Sequence, residues 1–346
     1  MFKVFIAEKI LRNIIQAESQ RPNNSRSNLF KILKSAKNLY VSMDTPDLAW
    51  IKQLKDDWGL VADTTRTEYI KQIPTKPESV LNNPSALYIL DIPHSEALAI
   101  QKLYGVMCMS SDCPNISPLI DVNDIQIVKE QEKLGRGWDT VLDSVETLPS
   151  NALLLTDRYL FAFRHPNAGD GIANINSILD ELLPKQFLGG NYHVTIVFDN
   201  MAKHTTYTFD EIARLLEEVK QKLRRDYPIT MEVLGITPDC SIYKKLHDRM
   251  IMSNYYLVEA SHKLAAFNKE TGITRQLLLP LALFTESSLN GKSTPPLDAI
   301  TQTLKTLRSF SESLPHLPES QHCIYSYAVN GKRMDKCLSI RNRLIK

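Results

Sequence analysis

Residues 86–109 read ALYILDIPHSEALAIQKLYGVMCM, an apolar run, an amphipathic stretch and a second apolar run. Short apolar runs bounded by turn residues indicate buried strands, and the helical spacing between them indicates a helix. A strand, a helix and a strand in this order favour a parallel pair, because the chain must cross over between the two strands. The segment therefore predicts a parallel sheet in the first part of the chain.

The same alternation recurs on both sides of this segment and predicts an α/β protein of two domains. Apolar runs become sparse between about 121 and 148, and the break at Leu148-Pro149-Ser150 follows. We place the boundary there, with an α/β recruiting or regulatory domain at 1–145 and a second α/β domain at 146–346. The further predicted strands are 39–43, 152–156, 192–198, 229–234, 255–258 and 277–284, and the further predicted helices are 47–57, 173–183, 208–223 and 297–311.

The composition excludes several classes of protein. Lysine and arginine number 41 against 39 aspartates and glutamates, so the net charge of +2 does not indicate a nucleic-acid binder by itself. The five cysteines include no Cys-x-x-Cys pair, which is typical of reduced thiols in a cytoplasmic protein. No stretch approaches the roughly 20 apolar residues of a membrane span, so we expect no membrane partner.

The stretch Leu246-His247-Asp248-Arg249-Met250-Ile251-Met252-Ser253-Asn254 carries the strongest chemical signal. In an extended segment, residues two apart point to the same face, so His247 and Arg249 can contact one phosphate. A neutral imidazole can attack phosphorus, and a fixed cation neutralises the charge that develops in the transition state. The stretch therefore predicts a phosphodiester site.

The spacing resembles the His-x-Lys-x4-Asp signature of the phospholipase D-like superfamily, with Arg249 at the Lys position and Asn254 at the Asp position. The resemblance implies a mixed sheet flanked by helices in 146–346 and a metal-independent phosphodiesterase, or nuclease, that needs no cofactor. It implies that His247 is the nucleophile, that Arg249 holds the phosphate and that Asn254 is a positioning group. Family residues further along the chain correspond to Asn268, which we expect to contact nucleic acid, and to Glu286, expected at the catalytic site.

A single copy of the motif implies a homodimer, because family members with one copy build the active site from two chains. His247 would then face its mate across a two-fold axis. Stand-alone proteins of this class are associated with microbial defence.

Basic residues cluster at the carboxyl end, where six occur with one acidic residue between 332 and 346. We expect this segment to follow a nucleic-acid backbone, and the alternative is a solvated terminus. Asp157-Arg158-Tyr159 follows a predicted strand and either lines the same cleft as His247 or forms an internal ion pair. The basic residues are Lys332, Arg333, Lys336, Arg341, Arg343 and Lys346.

Two alternative functions stay open. The first is a non-catalytic module that binds nucleic acid or protein on a degenerate phospholipase D-like fold. The second is a metal-dependent PIN-like nuclease built on Asp44, Asp91 and Asp112, each of which follows an apolar run. The carboxyl ends of parallel strands share one edge, where three carboxylates would suit Mg²⁺ or Mn²⁺. Helix capping is the structural explanation for Asp44 and Asp91, since both precede a proline and a predicted helix.

Overall fold

The computed structural model describes residues 2–22, 25–36, 38–64, 68–111, 137–145, 148–161, 171–200, 207–244, 249–260, 264–268, 272–273, 278–284, 295–318, 322–327, 334–336 and 339–346. The chain divides into two compact units, which are Met1–Ile120 with Phe187–Gly189, and Asp121–Gln186 with Gly190–Lys346.

The first unit is a parallel α/β sheet. Its elements are β1 (Lys3–Ala7), α1 (Glu8–Ser19), α2 (Asn28–Ser35), β2 (Asn38–Ser42), α3 (Leu48–Trp58), β3 (Ala62–Asp63), α4 (Glu68–Gln72), β4 (Leu87–Leu90), α5 (His94–Tyr104) and β5 (Met107–Ser110). The described strands pair in the order β3-β2-β1-β4-β5, and every pair is parallel. The predicted parallel sheet is confirmed, with β1 at its centre.

The central strands of this sheet bury apolar side chains on both faces. All four residues of β4 are buried, as are Val4, Phe5 and Ile6 of β1, which is typical of a parallel sheet covered on both faces. The Phe5 ring stacks on the rings of Tyr40 and Tyr88, with centroids 4.7 and 5.0 Å apart. The core therefore extends across three neighbouring strands.

The second unit contains the larger sheet. Its elements are α6 (Trp138–Leu142), β6 (Ala152–Thr156), α7 (Gly171–Leu182), β7 (Tyr192–Asp199), α8 (Phe209–Leu223), β8 (Ile229–Ile236), β9 (Arg249–Met252), β10 (Tyr256–Ala260), β11 (Phe267–Asn268), β12 (Gly272–Ile273), β13 (Leu278–Ala282), α9 (Pro296–Ser313), β14 (His322–Tyr327) and β15 (Met334–Lys336).

The eight strands of this sheet pair in the order β13-β10-β9-β6-β7-β8-β14-β15 in the described residues. Strands β6, β7 and β8 are parallel, and the flanking strands β9, β10, β13, β14 and β15 pair antiparallel. Strands β11 and β12 form a separate antiparallel pair. The expected α/β class is confirmed as two sheets, one parallel and one mixed, flanked by helices.

Local chemistry fixes the helix positions in the second unit. A capping box starts α8, since Glu211 N donates to Thr208 Oγ1 and Thr208 N donates to Glu211 Oε2. Trp138 of α6 donates from Nε1 to Asn174 Oδ1 of α7 at 2.8 Å. Residues 138–142 thus pack within the second unit, whereas the sequence boundary at 145/146 assigned them to the first.

Within the described residues, no helix is both long enough and apolar enough to cross a membrane.

Candidate functional site

The carboxyl edge of the parallel strands in the second unit gathers polar residues from three strands. Pairing between β6 and β7 continues beyond β6, because Asp157 N donates to Val197 O at 3.0 Å and Asp199 N donates to Arg158 O at 3.2 Å. Met250 of β9 pairs with Thr156 of β6, which places Arg249 opposite the residue that follows β6. Open α/β sheets bind ligands at this kind of edge.

Two arginines at this edge each rest on a tyrosine ring. The Arg249 guanidinium carbon lies 5.6 Å from the Tyr159 ring centroid, and that of Arg158 lies 4.0 Å from the Tyr243 ring centroid. Arg158 also donates from Nη2 to Tyr243 O at 3.0 Å. Both Nε atoms are buried and have no hydrogen-bond partner among the described residues. Each guanidinium therefore keeps donor capacity for a ligand oxygen.

The two buried carboxylates at this edge bind groups of the protein itself. Asp157 accepts from Tyr159 N at 2.9 Å and from Leu264 N at 2.6 Å. Asp199 accepts a hydrogen bond from the Tyr243 hydroxyl. Burial, together with this hydrogen bond, raises the pKa of Tyr243 to about 12, so the phenol stays protonated at neutral pH. These contacts hold Tyr159, Leu264 and Tyr243 at this edge of the sheet.

The structure separates Arg249 from Asn254. Strand β9 runs antiparallel to β6, so Arg249 lies near the end of β6 and Asn254 lies near its start, where Asn254 Oδ1 accepts from Asn151 N at 3.3 Å. Strand β9 covers Arg249–Met252, roughly 10 Å from end to end, and Asn254 lies two residues beyond it, so the two side chains lie beyond each other's reach at opposite ends of the strand. Asn254 is also buried. Asn254 therefore has a structural role in place of the predicted positioning role. His247 lies outside the described residues.

Of the remaining residues expected at the site or at the nucleic acid, Asn268 is described by the structure. Asn268 ends β11 and pairs with Gly272 of β12, in a sheet that does not include β9. Glu286, Lys332 and Arg333 lie outside the described residues.

The carboxyl-terminal residues 339–346 pack into the second unit and do not form a solvated tail. Ile340, Leu344 and Ile345 are buried, and Arg308 donates from Nε to Ile345 O at 2.6 Å. Apolar anchors and a main-chain hydrogen bond thus hold this segment on the fold. This finding corrects the expectation that the whole segment from 332 to 346 follows a nucleic-acid backbone.

The two described arginines of that segment have different surroundings. The Arg343 side chain is half-buried and donates from Nη2 to Asn191 O at 2.9 Å, and burial lowers its pKa. The Arg341 side chain is exposed, while its backbone N–H donates to the buried carboxylate of Glu232. Arg341 can therefore contact a ligand in solution, and Arg343 serves the fold.

A buried polar network holds this segment on the sheet. The Glu232 carboxylate accepts from Thr195 Oγ1 at 2.6 Å, from Arg341 N at 2.9 Å and from Asn342 N at 3.1 Å. Asn342 donates from Nδ2 to Leu153 O at 2.8 Å and to Thr195 Oγ1 at 2.9 Å. The network therefore ties the carboxyl-terminal segment to β6, β7 and β8.

Two of the three carboxylates of the acidic alternative form ion pairs within the first unit. Asp44 binds Lys71 at 2.6 Å, and Asp91 binds Lys9 at 3.2 Å; Asp112 lies outside the described residues. The Lys71 hydrogen bond and charge lower the pKa of Asp44. No group of three or more His, Cys, Asp or Glu residues that could hold a metal ion occurs in the part of the chain that the structure describes.

Sequence reasoning missed Tyr243 and Asp199, and it left the role of Arg158 open. The sequence does carry one signal for Asp199: like Asp157, it lies at the carboxyl end of a buried strand. The contact between Asp199 and Tyr243 joins residues 44 positions apart and follows only from the tertiary fold.

No protein-family model matches the chain, and a comparison with curated proteins finds no relative.

Proposed function

We propose that the protein is a metal-independent phosphodiesterase that acts on nucleic acid at the carboxyl edge of the mixed sheet. One observation carries the proposal: Arg249 rests on Tyr159 at this edge with a buried Nε–H that has no partner among the described residues. By sequence, His247 precedes Arg249 by two residues, which limits their Cα separation to about 7 Å. A nucleophile and a phosphate-binding cation thus belong to one short segment.

Arg249 suits a phosphate better than a structural role. Buried donors in folded proteins normally have acceptors, so a buried guanidinium N–H without an acceptor among the described residues favours a ligand oxygen. Arginine binds phosphate through two parallel hydrogen bonds from its planar guanidinium. The tyrosine ring beneath it restricts its motion and lowers the entropy lost when the phosphate binds.

The chemistry takes two displacements at phosphorus. The neutral imidazole of His247 attacks phosphorus, the bond to the leaving oxygen breaks, and that oxygen takes a proton from water. Water then attacks the phosphohistidine, the P–N bond breaks, and the imidazole returns to its neutral form with release of a proton. Arg249 neutralises the charge on the non-bridging oxygens in both steps. Asn254, two residues beyond β9 and hydrogen-bonded to Asn151 N, takes no part.

Cleavage of labelled single- and double-stranded DNA and RNA in EDTA at low salt tests the proposal. We expect the wild type to cleave at least one of these substrates, His247→Ala to lose the activity, and Asn254→Asp to gain none. His316→Ala is the matched control, because His316 is an exposed histidine of the same unit.

Two results would overturn the proposal. Cleavage that appears only when Mg²⁺ or Mn²⁺ is added would favour the carboxylates of the first unit. Binding without cleavage under every condition would favour a non-catalytic module.

Sedimentation of the same wild-type protein tests the dimer that a single motif implies.

A further inference from the structure

We propose that Arg158, together with Tyr243 and Asp199, forms a second phosphate position beside that of Arg249. The substrate would then be a strand with at least two consecutive phosphates, and a small diester or a lipid headgroup would fill only one position. This inference rests on the proposed function and names its substrate class.

Arg158 is more tightly held than a surface arginine. Its guanidinium lies 4.0 Å from the Tyr243 ring centroid, and Nη2 donates to the carbonyl oxygen of the same residue at 3.0 Å. One ring and one carbonyl thus fix the plane of the guanidinium. Its Nε is buried and has no hydrogen-bond partner among the described residues. A rigid cation with an unused buried donor is suited to bind a phosphate oxygen.

Asp199 holds the Tyr243 ring in place. It is fully buried at the end of β7 and accepts from the Tyr243 hydroxyl, which fixes the ring on which Arg158 rests. The carboxylate charge is thereby placed at the far end of the phenol. Arg158 remains the group of this trio that offers a donor to a ligand.

Two separate tyrosines indicate two separate anions. Arg158 and Tyr159 are adjacent in sequence, yet Arg158 rests on Tyr243 while Tyr159 carries Arg249. Each cation thus rests on its own ring, and the buried carboxylates of Asp157 and Asp199 at the same edge already accept hydrogen bonds from the protein. A nucleic-acid strand provides one phosphate per nucleotide and can satisfy both positions.

Parallel kinetics on two substrates test the inference. The substrates are a 12-nucleotide single-stranded oligonucleotide and bis(p-nitrophenyl) phosphate, which has one phosphate. We expect Arg158→Ala to raise KM for the oligonucleotide about tenfold, as for a lost charge-assisted hydrogen bond, and to leave the small diester unchanged. Arg249→Ala should impair both substrates. Arg214→Ala is the control, because it removes an exposed arginine on α8 of the same unit.

A binding measurement separates this inference from the proposed function. Fluorescence anisotropy of the labelled oligonucleotide is followed against salt with His247→Ala, alone and combined with Arg158→Ala. We expect the added change to reduce the slope of log K against log salt by about one phosphate contact. This expectation holds even if the wild type cleaves nothing.

Two results would overturn the second position. An equal loss on both kinetic substrates would place both arginines on one phosphate, and an unchanged salt slope would remove Arg158 from the interface. Arg158→Lys guards against misfolding of the alanine variant: it keeps the charge but not the planar fork, and we expect a smaller rise in KM.

Discussion

Replacing Asn342 by alanine tests whether the carboxyl-terminal segment is part of the fold. The side chain is fully buried, and its Nδ2 donates to Leu153 O at 2.8 Å and to Thr195 Oγ1 at 2.9 Å. Its Oδ1 accepts from Leu344 N at 2.9 Å. The substitution therefore removes three hydrogen bonds and leaves buried groups on two strands and in the segment itself without them.

The magnitude follows from these three contacts. A hydrogen bond contributes about 1 kcal/mol net, so the loss is about 3 kcal/mol. For a unit of about 200 residues, each kcal/mol lowers Tm by about 2–4 °C, which gives a decrease of about 6–12 °C. Urea denaturation followed by circular dichroism measures the first quantity, and scanning calorimetry measures the second.

Arg341→Ala is the neighbouring control. The Arg341 side chain is exposed, and only its backbone N–H contacts Glu232, so its substitution should change stability by less than about 0.5 kcal/mol. If Asn342→Ala is no more destabilising than Arg341→Ala, the three hydrogen bonds of Asn342 do not hold the carboxyl-terminal segment on the sheet.

Three further predictions concern stability. Burial lowers the pKa of His193 from 6.5 to about 4 in the folded protein. The neutral imidazole therefore stabilises the fold above pH 6.5, and this stability is lost as the pH falls towards 4. His193→Gln should flatten the decline of the urea midpoint between these two pH values. Burial raises the pKa of Glu232 above its unfolded value of 4.5. The stability that protonated Glu232 contributes is therefore complete below pH 4.5 and is lost as the pH rises through the pKa of the folded state. The free energy of unfolding of the wild type relative to Glu232→Gln should fall with rising pH, and a rise would contradict this. A Cβ on Gly171 would lie 1.9 Å from Leu160 O, so Gly171→Ala should cost about 2 kcal/mol or more, and an unchanged urea midpoint would exclude the close approach.

Much of the architecture follows from local patterns, as the second unit illustrates. Strands β7 and β8 are largely apolar runs of eight residues, and the capping box of α8 is a four-residue signal that needs no tertiary information. Strand β1 is different. It has five residues, and α1 begins directly after it at Glu8, with Ala7 in the capping position and no side-chain cap. No turn or cap marks the boundary, so the central strand of the first sheet is hard to recognise.

The site depends on pairing that short motifs do not encode. An extended pattern places His247 and Arg249 on one face, but it does not show that Asn254 lies at the opposite end of β9, beside Asn151. The contact between Arg158 and Tyr243 needs the order of the sheet. At the carboxyl end, the basic residues suggest an extended segment, whereas the apolar residues Ile340, Leu344 and Ile345 anchor it on the fold.

The configuration at phosphorus tests the histidine mechanism most directly. A phosphorothioate linkage of defined configuration is cleaved in ¹⁸O-labelled water in the presence of EDTA, and the configuration of the product is determined. Two successive displacements through His247 predict retention, because each displacement inverts the centre. Inversion would show direct attack by water, and a lack of turnover by the wild type would show no phosphodiesterase at all; either result contradicts the mechanism.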